Sequence, residues 1–520
     1  MPWPSCGFRR PILRKPSLTA AIALMSCLAL AAPAAAAPRE TARVLVARTL
    51  AGLGAGRDVA SVSSISIEGQ EVGYDLVEND HPITPPFYLS SIASIRRGDD
   101  LVRGIERTTS EKGGTATTSL FSEELAVTTG AGGGARRVRS AAPCWQMRNP
   151  IAALRAAAQA GDLGFAPDIT WQGAVQHVVA FHRGPFLVRI LIAANTGLPS
   201  ATEAVIAYDE QHLDEAISWN ALGDVTERTE YMNWSVVDGL RYPLQHDTLR
   251  DGQLLRTTSI TKVTLNDVVA AGELALRPGE AFTRRSVQEY RPDQKVPGPY
   301  PDKPIAEIAP GIVQIPNSWY STIVRQADGL VIIDAPISAG YAKGILAEAT
   351  RRFPGVKVKA LITSTGFFWH VAGVREFAAR GIPIYAEARN VPVIRRMLAA
   401  PHTLVPDDLS ARPHRAPVVI AVSQAVTIGR GRNAIRLLPV TQATQPMLMS
   451  YVADAGLLHT AEMVQPLGPN GSILFPESVI ELIHTVAADR LTVERMIGMH
   501  MSPTPWHALA DTLAAAHARS

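Results

Sequence analysis

Between residues 329 and 386 the chain alternates near-continuous β-branched runs with amphipathic stretches, and no other feature restricts the fold as strongly. Gly329-Leu330-Val331-Ile332-Ile333-Asp334-Ala335-Pro336 and Val358-Lys359-Ala360-Leu361-Ile362-Thr363 read as strands buried on both faces, as in a sheet covered by helices. Helical spacing follows at 341–352 and at 374–380, the second stopped by Gly381, before Ile382-Pro383-Ile384-Tyr385-Ala386 resumes a strand pattern. This repetition predicts two mixed sheets packed face to face with helices outside. Within it, the segment Thr365-Gly366-Phe367-Phe368-Trp369-His370-Val371-Ala372-Gly373 reads as a tight loop with one histidine behind three aromatic residues.

A chain of 520 residues exceeds one ordinary core, so two domains are expected. Hydrophobic content of 47% and charged content of 19% are those of a globular protein. The formal charge of +3 misleads, because residues 1–37 hold Arg9, Arg10, Arg14 and Lys15 and no acid; subtracting those four from 50 leaves 46 Lys+Arg against 47 Asp+Glu. A near-neutral remainder excludes the electrostatic case for nucleic acid or an anionic membrane as partner. The same segment has a basic start, an apolar run from Leu18 to Ala32 and the small residues Ala34-Ala35-Ala36-Ala37, the pattern of a secretory signal peptide. Arg9-Arg10 resembles a twin-arginine signal, with an ordinary Sec signal as the alternative, so a periplasmic or secreted location is expected. Leu24-Met25-Ser26-Cys27 is a weaker match to a lipobox, since the apolar run continues past the cysteine. No transmembrane span is expected once the signal is gone. Of the three cysteines, Cys6 and Cys27 would leave with it, and Cys144 alone provides no internal disulfide.

The region 38–289 reads as a β domain with helices. Apolar residues at helical spacing run from 40 to 53, and a helix over 150–160 is capped by Asn149 and opened by proline. Strands are predicted at 176–182, 186–193, 203–209, 226–234 and 254–265, a meander expected to wrap on the helices as a twisted antiparallel sheet. Ala221-Leu222-Gly223-Asp224, Tyr231-Met232-Asn233-Trp234 and Val237-Asp238-Gly239-Leu240-Arg241-Tyr242-Pro243 resemble the half-barrel domain, akin to lipoprotein-sorting proteins, that precedes some exported hydrolase domains. Five prolines in 290–304 mark a stiff linker, which leaves 305–520 as the second domain.

In order and without large gaps, that second region resembles the metallo-β-lactamase superfamily. The strand–loop–helix–strand around residue 370 is similar to the family's His-x-His-x-Asp-His turn. Met447-Leu448-Met449-Ser450-Tyr451, Leu457-Leu458-His459-Thr460-Ala461-Glu462-Met463 and Ile497-Gly498-Met499-His500-Met501 resemble its later motifs. The resemblance implies an α+β chain: a C-terminal αββα sandwich preceded by an antiparallel half-barrel-like β domain with helices. It also implies a hydrolase with two zinc ions. This chain departs from that pattern. The places of the first metal's ligands hold Thr365, Phe367 and Ala443, or Gln442 with one insertion, none of them a strong zinc ligand. The places of the second hold Trp369, His370, His500 and Glu462, so two imidazoles and one carboxylate survive, all from one subsite.

A two-zinc centre is therefore not expected, and two readings stand open. Either His370, Glu462 and His500 hold a single zinc or other divalent metal and hydrolyse ester- or lactam-type bonds, or the protein is a pseudoenzyme holding no metal. Phe367, Phe368 and Trp369 add apolar surface by the cleft, and a non-catalytic envelope protein binding an apolar ligand or a partner protein is the alternative from another class. Asp334 resembles a family position near the cleft, with turn-capping as its structural role. His459 stands three residues before Glu462, so strand alternation would turn the two apart and leave His459 packed or solvent-facing, a substitute ligand only where the strand is irregular. His402 and His414 fall in a Pro- and Arg-rich loop as substrate-contact or surface residues, and His484 is expected on a helix surface. No Gly-x-Ser-x-Gly elbow is present to support a serine hydrolase.

Overall fold

The computed structural model describes residues 41–76, 88–121, 126–129, 135–138, 148–184, 186–207, 220–267, 304–317, 319–411, 416–440, 446–464, 476–509 and 511. Residues 1–37, nearly all of the 290–304 linker, Cys144, His414, Gln442 and Ala443 fall outside these ranges. From Thr41 to Ser520 the chain is one compact unit. No helix among the described residues is long and apolar enough to cross a membrane.

A 13-stranded antiparallel sheet occupies the first half. It consists of two meanders joined where its first strand, Ser64–Asp75, pairs on one edge with Tyr88–Asp100 and on the other with Gln253–Leu265. The sheet is strongly curled. Arg97 and His246 lie on strands with two others between them, yet Arg97 Nη2 is 3.4 Å from His246 Nδ1. In a flat sheet those strands would be about 14 Å apart. Inside the curl pack the helices Ala42–Gly52 and Pro150–Gln159, whose Leu45, Val46, Ile151 and Leu154 are fully buried with Ile65, Ile67, Val179 and Ile190 of the sheet.

Asn149 fastens the second helix to the sheet. Its Oδ1 accepts from the backbone N–H groups of Ile151 (3.0 Å) and Ala152 (3.4 Å), while its Nδ2 donates to Asp99 Oδ2 at 2.8 Å. Burial pushes the Asp99 carboxyl up to about 6 against the opposing charge of Arg97, whose Nε lies 3.8 Å away. The cap thus also supplies a hydrogen bond to a carboxylate that water cannot reach.

The second half is a sandwich. A seven-stranded sheet runs Ala306–Ala309, Ile312–Ile315, Ser321–Gln326, Gly329–Ile333, Val358–Thr363, Ile384–Glu387, Val419–Val422, antiparallel over its first four strands and parallel thereafter. Facing it is a six-stranded sheet in the order Val426–Ile428, Ile435–Val440, Met447–Val452, Leu457–His459, Arg495–Gly498, Met501–Pro505. The period of two in Leu330-Val331-Ile332-Ile333 explains the layering. Leu330 and Ile332 face the helices Ala339–Arg352, Val374–Ala379 and Val391–Ala399, whereas Val331 and Ile333 meet Leu437, Leu448, Leu457 and Ile497 of the opposite sheet. The helix Pro476–Ala488 covers the far side through Val479 and Leu482. The chain is α+β, a large antiparallel sheet followed by an αββα sandwich.

The Leu222-Gly223-Asp224 turn joins the halves. Gly223 has φ +63°, and a Cβ there would lie 2.0 Å from the Pro401 carbonyl oxygen, so only glycine permits the approach. Asp224 donates its N–H to Pro401 O (2.8 Å), and its carboxylate accepts the N–H groups of Thr403 (2.8 Å) and Leu404 (3.1 Å). Arg375 holds the same loop from below through the carbonyls of Met397, Leu398 and Ala400 and through Asp407. His402, expected as a substrate-contact or surface residue, is half-buried here in the contact with the curled sheet. Its ring packs on Gly223, its Nδ1 is 3.8 Å from Asp407, and burial lowers its pKa.

Replacing Asn149 with alanine is expected to cost about 1–3 kcal/mol, since the helix loses its cap and Asp99 its donor. The check is a lower urea midpoint with unchanged slope.

Candidate metal centre

Four strand ends of the sandwich deliver the candidate residues to one edge of the cleft between the sheets. Gly329–Ile333 ends at Asp334, Val358–Thr363 leads to Ser364 and Thr365, Leu457–His459 leads to Glu462, and Arg495–Gly498 leads to His500. The turns are set by close backbone approach. A Cβ on Gly366 would lie 2.4 Å from Asn390 Oδ1, and one on Gly498 would lie 2.9 Å from the Ala461 carbonyl oxygen. Freed of side chains, these positions let the 460–462 turn sit on the 497–499 segment: Thr460 N–H donates to Ile497 O (2.8 Å) and Met499 N–H to Ala461 O (3.0 Å).

His370, Glu462 and His500 meet there. His500 Nε2 is 3.2 Å from Glu462 Oε1, and His370 Nδ1 is 3.5 Å from Glu462 Oε2. One ligand atom from each residue falls within a 4.8 Å set, the one such group of three found among the described residues. The two imidazoles approach different oxygens of Glu462, so the three side chains offer two nitrogen donors and a carboxylate at one point, a donor set of the kind zinc takes. The electrostatics agree. Burial is the main force lowering His370 to about 4, which keeps its ring neutral, while Glu462 contributes negative charge. Burial, with Glu462 adding to it, raises Asp334 to about 7. Two carboxyl groups beside neutral imidazoles favour a cation.

Thr365, where the family pattern places a ligand, still touches the site. Phe367 N–H donates to Thr365 Oγ1 (3.2 Å), and that hydroxyl lies 2.9 Å from His370 Nδ1. Thr365 and Glu462 thus face the same ring nitrogen. A nucleophile–base–acid relay needs them on opposite nitrogens, so this trio is not a hydroxyl-nucleophile triad.

The aromatic residues divide. Phe367 packs edge-on to His370 with ring centroids 5.7 Å apart, but Phe368, expected at the pocket, is fully buried in the core under the helices. Phe368–Val371 forms a short helix rather than the expected loop. Trp369 is on that helix too. Trp319 was missed by sequence reasoning. It lies in the connection between Ile312–Ile315 and Ser321–Gln326, with its ring 6.4 Å from both His370 and His500. An aromatic residue where turn chemistry favours glycine or aspartate was the available signal. His484 is exposed on its helix.

His459 closes the group from behind. The strand stops at His459 and Ala461 adopts φ 53°, so the alternation expected between His459 and Glu462 is broken. The His459 ring is buried, with Nε2 3.6 Å from Asp334 Oδ2, and burial followed by the charge of His370 lowers it to about 3.

No family model matches the chain. A segment of 86 residues is 34% identical to a protein described as a probable metallo-hydrolase, YflN of Bacillus subtilis (strain 168), covering 16% of this chain and 31% of that protein. The chain therefore spans about a third of the length of the curated relative it matches. Solved structures with some likeness include the DIM-1 metallo-β-lactamase (12% identity, 42% of this chain and 97% of that one, TM-score 0.32) and the inverting sec-alkylsulfatase Pisa1 of Pseudomonas sp. (15% identity, 40% of each chain, TM-score 0.30). The chain thus has a two-sheet αββα sandwich with a hydrolase-like motif order, and over one segment it is similar to a probable metallo-hydrolase.

The buried titrating groups oppose each other. Asp334, raised from 3.8 to about 7, stabilises the fold fully below pH 3.8 and loses that contribution as pH rises through 7. His370 and His459, lowered from 6.5 to about 4 and 3, contribute above pH 6.5 and lose it as pH falls toward those values. Between pH 4 and 6.5 the two imidazoles outweigh the carboxyl, so this group should destabilise the protein on acidification. Asp334→Asn removes the opposing contribution and should steepen that slope, measured as urea midpoint against pH.

Proposed function

We propose that this protein is an exported hydrolase that binds a single divalent metal, zinc being the best match to the donors, through His370, Glu462 and His500. The observation that carries the reading is the convergence of those three donors, from three different segments, within 4.8 Å of one another. A metal held there supplies a Lewis acid and a bound water of lowered pKa, which suits ester- or lactam-type bonds. The protein's own residues do the rest. Glu462 offers one oxygen toward each imidazole, the burial of His370 keeps its nitrogen lone pairs unprotonated, and Trp319 and Phe367 screen the imidazoles from water. The loop carboxylate of the two-zinc pattern is replaced by Trp369, so turnover should be slow beside that of a dinuclear site.

Export is supported by the basic, apolar and alanine-rich segment 1–37, and the division at the proline-rich 290–304 stretch supports a half-barrel-like domain ahead of the hydrolase-like one. The pseudoenzyme reading draws on one observation: at 3.2 Å, His500 and Glu462 already satisfy each other without an ion. In the apolar-ligand reading, Trp319 and Phe367 would form its wall.

Purified mature protein is expected to carry about one equivalent of a transition metal, and His500→Ala to lose it together with metal-dependent ester or lactam hydrolysis. Less than about a tenth of an equivalent after zinc loading would overturn the single-metal reading. Thermal stabilisation by an acyl ligand without turnover would favour the binding protein.

A further inference from the structure

We infer that His459 and Asp334 form a buried strut that aligns the three segments carrying the proposed metal ligands, so that both are positioning residues for that site. The inference rests on the single-metal reading above.

Two of the ligand-bearing segments have a backbone N–H bonded to this pair, and the third is tied to it through Ala461. Ser364, just before Thr365 and the His370 turn, donates its N–H to Asp334 Oδ1 at 2.7 Å. Ala461, just before Glu462, donates its N–H to His459 Nδ1 at 3.2 Å. The carbonyl of Ala461 accepts from Met499, the neighbour of His500, at 3.0 Å. The two residues face each other through His459 Nε2 and Asp334 Oδ2 at 3.6 Å.

The polarity of this chain is dictated by its ends. A backbone N–H can only donate, so His459 Nδ1 must carry a lone pair, and the neutral ring therefore has its proton on Nε2, aimed at Asp334. Asp334 accepts the Ser364 N–H at Oδ1, while its Oδ2, buried and 3.6 Å from His459 Nε2, faces the ring N–H beyond hydrogen-bond distance. Neither side chain is spare packing: both are buried, and both Asp334 and Ala461 hold positive φ, which local sequence alone does not favour. A hydrocarbon of equal size at His459 would leave the Ala461 N–H buried without a partner and would take away the polar group that faces the buried Asp334 Oδ2.

Two variants of the full-length protein separate the halves of the strut. In His459→Asn the side-chain oxygen takes the place of Nδ1, keeping the Ala461 bond but no longer reaching Asp334. In His459→Gln the amide takes the place of Nε2, reaching Asp334 but giving up Ala461. Cobalt(II) is the probe, read by titration and by its visible absorption band, with hydrogen exchange of the Ser364 and Ala461 amides measured on the metal-free protein.

Both variants are expected to bind cobalt(II) about 10–100-fold more weakly with an altered band. His459→Asn should retain protection at Ala461 while losing it at Ser364. Wild-type affinity and band in His459→Asn would overturn the strut, leaving His459 as a local cap; should that variant not fold, wild-type behaviour of His459→Gln overturns it equally. If the wild type takes up no cobalt(II), the metal reading fails by itself, and exchange still decides the strut: faster exchange at Ser364 in His459→Asn supports it, and an unchanged rate overturns it.

Discussion

A carboxylate placed between two imidazoles in a closed cleft is the interaction on which the rest of the site depends. Glu462 offers one oxygen to His500 and the other to His370, so three chain segments far apart in sequence are held at one point. The price of this arrangement is negative charge in a low-dielectric space, visible in the raised pKa of Asp334 and in imidazoles that burial keeps neutral. Such a site is satisfied by a cation or by hydrogen bonds among its own members, and the proposed function turns on which of these operates.

The backbone makes that closeness attainable. Gly366, Gly498 and Gly223 each stand where a Cβ would collide with a neighbouring group, two of them at the site and one at the contact between the curled sheet and the 400–407 loop. That contact gives a reason for the Leu-Gly-Asp turn: glycine admits the Pro401 carbonyl and aspartate caps the amides of Thr403 and Leu404. The core is continuous across it, since Ala221 and Leu222 share one buried cluster with Val391, Ile394 and Met397.

Much of the sandwich was legible because its signals are periodic. Buried parallel strands write themselves as unbroken apolar runs, and the helix at Pro150–Gln159 was marked by Asn149 and its proline. Errors fell where geometry departs from periodicity. Strand alternation does not carry on to Glu462, because Ala461 turns left-handed after His459, whose ring is packed in the interior. Phe368 reads as a pocket aromatic until one turn of helix rotates it into the core. Trp319 went unnoticed because its nearness to the histidines comes from the opposing hairpin and no local pattern encodes it.

By itself, the sequence determined the layers, the order of the motifs and the identity of the surviving donors, since these depend on hydrophobic period and side-chain chemistry, which are local. Only the tertiary structure decided that His370, Glu462 and His500 converge, that Thr365 shares a ring nitrogen with Glu462, that His402 belongs to the contact with the curled sheet, and that Asp334 and His459 face each other behind the site. Distances between residues a hundred positions apart are set by sheet pairing and by how closely two backbones approach, and neither is written in any one segment.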